Sequence, residues 1–202
     1  MTCATDLIST FRGYGRVRHL APATAAAVCL LASAPWWDRA RLPILSPHDV
    51  DAEPVRAALL LAVVVALAFG RSLLPNLRDL EERMPGRLVR LRAGHASLAT
   101  AVCVLFGAAV QPALGSSWAV ACAANAAGLL GIASASVRIG LPYWLATTVV
   151  PATCWMFGTD TVADMPRGWA WMLQAPPIWT GIGVNSLLWL VGVTAWTARG
   201  PA

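Results

Sequence analysis

The chain has 202 residues, of which 57% are hydrophobic and only 12% charged. An ordinary soluble domain carries about a quarter charged residues, so this balance excludes that class and selects a membrane protein. The net charge of +5 rests on fifteen arginines with no lysine, a bias fitting GC-rich coding. In a membrane protein such basic excess belongs to loops facing anionic lipid, which argues against nucleic acid as a partner.

Residues 1–18 are polar and basic, with Arg12, Arg16 and Arg18 ahead of a first apolar run, Leu20 to Trp37. That run has the length of a membrane span. It also has the shape of a secretory leader, with Ala32-Ser33-Ala34 as the cleavage triplet. Pro35 would then follow the cut, a position signal peptidase tolerates badly, and Trp36-Trp37 reads as an interfacial anchor. A retained helix over 20–37 is therefore expected. A polar connection, Asp38 to Pro54, leads to a second span over 57–74, where Arg71 can extend its charge to the interface.

The segment from Pro75 to the arginine-rich stretch before His95 is the one long polar insertion between strongly apolar runs. It reads as a loop over 75–94. Within it Asn76 caps a short helix through Met84, with Asp79 at capping-box spacing. Leu77, Leu80 and Met84 form one apolar face, and Arg78–Glu82 and Asp79–Arg83 are opposite charges four residues apart. Pro85-Gly86 ends that helix, and a second basic stretch follows. Further spans are expected over 95–114, 118–137, 142–158 and 178–197, with an outer loop over 159–177. The very short link at 115–117 makes the third and fourth spans antiparallel neighbours, and Pro151 should kink the fifth. Along the fourth, Ala119, Ala123, Ala127, Gly131 and Ala135 recur every four residues, the pattern of closely approaching helices.

Arginine placement sets the topology. Eleven arginines fall on the side of the termini and the 75–94 loop, and four (Arg39, Arg41, Arg56 and Arg167) on the other. Arginine-rich short loops stay in the cytoplasm, so both termini are expected inside. The expected fold is all-α: one domain, 1–202, a polytopic bundle of six transmembrane helices in the cytoplasmic (inner) membrane.

This layout resembles the permease subunits of ABC exporters in the six-helix class. The resemblance is one of arrangement over the whole chain, with no specific motif, and the outer loops here are short. It implies that the helix from Asn76 to Met84 is a coupling element. Arg78, Asp79, Glu81, Glu82 and Arg83 would then contact a separate ATPase, since the chain has no Walker motif. It further implies a re-entrant segment over Met165 to Ala175, and work as a homodimer or heterodimer. The alternative is a non-transporting membrane scaffold whose loop binds a partner or anionic lipid. A membrane enzyme is the third choice.

No Asp, Glu, Lys or Arg lies near the middle of an expected span, which argues against an ion-coupled carrier. The polar residues inside spans are Gln111, Asn125, Thr147, Thr148 and Asn185, read as interhelical hydrogen bonds or pathway contacts. No catalytic residue, metal site or cofactor is assigned. His19 and His95 each open a span without a carboxylate or thiolate neighbour, and His48 lies in an acidic loop without metal-ligand spacing. Glu81-Glu82 resembles the glutamate pair of CAAX-type proteases, but that pattern needs an arginine where Gly86 stands. The five cysteines show no paired spacing and read as small apolar residues.

Overall fold

The computed structural model describes residues 13–14, 19, 21–26, 41–42, 55–56, 58–74, 85–114, 116–157, 159–160, 165–166 and 179–199. Five helices dominate them: α1 (Ala58–Ser72), α2 (Pro85–Leu114), α3 (Ser116–Arg138), α4 (Tyr143–Phe157) and α5 (Trp179–Arg199). A further helical segment covers residues 21–26. The fold is thus all-helical in its layers. Its two small ribbons have two-residue strands: β1 (Arg41–Leu42) pairs antiparallel with β2 (Val55–Arg56), and β3 (Thr159–Asp160) with β4 (Met165–Pro166).

Local chemistry explains where the helices start and stop. The end of α1 tightens, with the Leu73 and Leu74 amides donating to the carbonyls of Gly70 and Arg71. Pro85 begins α2, where a missing N–H is harmless. At the end of α3, Gly140 is left-handed (φ 77°). Its amide meets the Val137 carbonyl at 3.3 Å and that of Leu141 meets Ser136 at 2.8 Å. These two bonds form a Schellman cap, and they turn the chain into α4 within four residues. Arg71 and Arg138, in the last turns of α1 and α3, oppose the negative end of each helix dipole.

Helix α3 is the hub, packing against each of the other four helices and most extensively against α5. In its membrane-length window 67% is buried, against 44% for α2 and 28% for α5. Its residues Ala119, Cys122, Ala126, Leu129, Leu130, Ala133 and Val137 join Val65, Phe69 and Leu73 of α1, Cys103 of α2 and Trp196 of α5 in one core. The small-residue stripe packs within the chain. A Cβ placed on Gly107 of α2 would lie 2.8 Å from that of Ala123. One on Gly131 would lie 2.6 Å from the Trp189 backbone of α5 and against the Leu188 carbonyl. One on Gly192 would lie 2.9 Å from the Cα of Gly131. The α3–α5 crossing is therefore backbone on backbone. The paired residue numbers rise together, so these two helices run parallel.

Three helices are long and apolar enough to cross a membrane, through Leu88–Leu105, Ala119–Arg138 and Trp179–Ala198. Large apolar side chains face outward from them, including Val104, Leu105, Leu187 and Val191. Exposed apolar faces of this extent belong in lipid. At 15 residues each, α1 and α4 are about 22 Å long, shorter than the hydrocarbon core. Only residues 21–26 of the expected first span are described. The 75–84 loop helix, Trp36-Trp37, His48 and the expected re-entrant segment beyond Pro166 lie outside the described residues.

One boundary differs from the sequence expectation. Residues 85–94 are helix continuous with the third span, rather than loop. Leu88, Arg92, His95, Ala96, Ala99, Val102 and Cys103 are all buried. The helical stripe therefore runs through the arginines into the core.

Backbone contact at the α3–α5 crossing leaves no space for side chains. Gly131→Ala and Gly192→Ala should each destabilise the bundle by about 1–3 kcal/mol. Gly183, with nothing within 4 Å of an added Cβ, should accept alanine without loss. Thermal unfolding of the three variants in detergent, followed by circular dichroism, measures the contrast.

Candidate functional site

The arginine-rich end of the bundle holds a buried polar cluster. Contacts place it there: the end of α1 meets the start of α2, and the end of α5 meets the same turn. At its centre is His95, fully buried. The Ser72 hydroxyl donates its single proton to the Phe69 carbonyl one turn back. It therefore accepts from His95, whose Nε2–H donates to Ser72 Oγ at 2.9 Å. On the other side of the ring, Nδ1 faces the Tyr14 hydroxyl at 3.5 Å. The rings of Tyr14 and Trp196 both meet His95 edge to face, with centroids 6.0 and 5.4 Å away. One turn before His95, the Arg92 guanidinium lies 6.0 Å from the Trp196 ring centroid.

This arrangement joins four parts of the chain through one imidazole. Ser72 ends α1, Arg92 and His95 lie in the second and third turns of α2, Trp196 is in the last turn of α5, and Tyr14 comes from the N-terminal segment. Ser72 and Pro85 bracket the loop that contains Arg78, Asp79, Glu81, Glu82 and Arg83. Those five residues lie outside the described part, so the cluster fixes the points to which their loop is attached.

A second polar contact lies deeper. Asn185 Nδ2 of α5 donates to Asn125 Oδ1 of α3 at 2.8 Å, and both side chains are buried. Gly128 leaves the room this pair needs, because a Cβ there would sit 2.7 Å from Cγ of Asn185. A third link joins α5 to α2, with the Trp189 indole N–H donating to Thr100 Oγ1 at 2.9 Å. Gln111 faces outward on α2 and shares neither contact. Thr147 is buried and Thr148 half-buried, and both hydroxyls donate to carbonyls of their own helix. Among the described residues no group of three or more His, Cys, Asp or Glu side chains is placed to hold a metal. His19 is exposed and lines a cavity together with Ser72 of that cluster.

The sequence singles out Asn125 and Asn185, and the structure brings them together. It gives no local sign of the His95 cluster, whose members are separated by tens of residues. The signal available was periodicity: a helical repeat from Leu88 through Arg92 and His95 to Ala99. No protein-family model, curated protein or solved structure matches this chain.

Two predictions follow from these bonds. Ser72→Ala leaves the His95 N–H without its acceptor and should cost about 1–3 kcal/mol. Gln111→Ala should be neutral, both read as unfolding midpoints in detergent. A double-mutant cycle of Asn125→Ala and Asn185→Ala should give a favourable coupling of about 0.6 kcal/mol, the average for hydrogen bonds between membrane helices.

Proposed function

We propose that the chain is the membrane-spanning subunit of an exporter driven by a separate ATPase that docks on the 75–84 loop. In this reading residues 20–37, α1 and α4 complete a set of six spans with α2, α3 and α5, and both termini are cytoplasmic. The membrane is the cytoplasmic one, and the working unit is a dimer.

The observation carrying the proposal is the attachment of the loop. One edge leaves α1 just after Ser72, the other enters α2 at Pro85, and the continuous helix from Pro85 carries that second edge to His95, which the Ser72–His95 bond ties to the end of α1. Through Trp196 and Tyr14 the same imidazole contacts α5 and the N-terminal segment. A push delivered at Arg78, Asp79, Glu81, Glu82 or Arg83 would therefore move three elements together instead of being absorbed by a loose connection. That is what a coupling element requires. The scaffold alternative needs a docking surface on the loop but no rigid link from it into the bundle.

The test is capture of the detergent-solubilised chain with its partners, beside a variant carrying Arg78→Ala, Glu82→Ala and Arg83→Ala. The native chain should retain an ABC ATPase and the loop variant should lose it. Ser72→Ala should keep the ATPase bound while reducing its ability to drive transport. Absence of any ATPase with the native chain across several mild detergents would replace the exporter with the scaffold. The topology is checked separately. Green fluorescent protein fused after Ala202 or within the 75–84 loop should fluoresce, and alkaline phosphatase fused near Asp51 should be active.

A further inference from the structure

Between the helical segment at 21–26 and the end of α1 lies a cavity of about 270 Å³, open to one side. Its walls are Ala23, Ala26 and Ala68, and its mouth carries His19 and Arg71, with Ser72 at its base. The walls are almost wholly apolar. Arg71 is exposed and offers a guanidinium, and it sits at the end of the bundle that gathers the arginines.

We propose that this cavity is a binding site for an anionic phospholipid, with one acyl-chain segment against the three alanines and the phosphate on Arg71. Three features select that occupant. The volume falls just below the roughly 300–1,000 Å³ of pockets that enclose a drug-sized molecule, so it holds part of a chain and leaves the headgroup outside. An apolar wall beneath a cation at the interface matches a lipid's own division into tail and phosphate, and anionic lipid is attracted to basic groups at that depth. Small side chains form the wall at each turn, where larger ones would close it. A free phosphate would use Arg71 but gain nothing from the alanines.

The site also has a route to the rest of the molecule. Ser72 lines the cavity with one face and accepts the His95 N–H with its hydroxyl. An occupant packed on Ser72 therefore steadies the rotamer on which the His95 cluster depends. This proposal rests on the membrane assignment and not on the exporter reading, so it stands or falls without an ATPase.

The experiment is native mass spectrometry of the purified full chain in detergent, titrated with phosphatidylglycerol or phosphatidylcholine, with thermal unfolding measured in parallel. Phosphatidylglycerol should be retained one per chain and raise the unfolding midpoint, while phosphatidylcholine does neither. Arg71→Gln should weaken retention about five-fold, the value of one arginine near an anionic surface. Ala68→Leu should abolish retention by filling the wall, and Ala26→Leu, at an exposed position, provides the same test without disturbing α1. Arg90→Gln, an exposed arginine outside the cavity, should retain phosphatidylglycerol as the native chain does. Equal retention of both lipids would overturn the proposal, as would unchanged retention in the Arg71 and alanine variants. So would the same midpoint shift from water-soluble glycerophosphoglycerol, which supplies the phosphate without a chain.

Discussion

Gly131 of α3 and Gly192 of α5 bring two helix backbones into direct contact at the most extensive helix–helix packing in the bundle. In lipid, apolar side chains gain little by meeting one another, because the surroundings are equally apolar. Close van der Waals approach and interhelical hydrogen bonds supply the attraction instead. With no side chains between them, α3 and α5 sit near enough for Asn125 and Asn185 to bond on one side of the crossing. Helix α3 is then free on its remaining faces to receive α1, α2 and α4. The result is a bundle built around one small-residue helix, with α5 giving its outer face to lipid.

Buried polar groups mark where the helices must hold a fixed register. An unsatisfied donor in an apolar interior is expensive, so each such group fixes its partner in place. The Asn125–Asn185 pair fixes α3 against α5, Trp189–Thr100 fixes α5 against α2, and Ser72–His95 fixes α1 against α2. The last of these lies at the arginine-rich end, where the polar loop leaves and re-enters the bundle. A polar loop with one edge beside a buried imidazole, and the other joined to it by continuous helix, is a different mechanical object from a loop hung between independent helices. That difference connects the packing to the proposed coupling role.

Much of this was legible in residues whose signal is local. The apolar runs located α3 and α5 to within a few residues, and the four-residue spacing of Ala119 through Ala135 announced close packing. The start of α2 was obscured because Arg87, Arg90 and Arg92 raise the charge of a segment that is nonetheless helical. Burial there follows the 3.6-residue repeat through Leu88, Arg92 and His95, and a reading by composition alone passes over it. The His95 cluster was not legible at all. Tyr14, Ser72, His95 and Trp196 meet only because the ends of α1 and α5 pack against the third turn of α2, a consequence of how the bundle closes rather than of any neighbouring residues.

The crossing of α3 with α5 is tested most directly by thiol cross-linking in native membranes. The five native cysteines would be replaced, and Asn125 and Asn185 changed together to cysteine. Side chains that hydrogen-bond at 2.8 Å leave cysteines at these positions close enough for a short bis-methanethiosulfonate reagent to span. That reagent should join them within one chain, giving a faster-migrating monomer that reduction reverses. A product that forms only between two chains, or no product at all, would contradict the parallel α3–α5 pair on which the architecture depends.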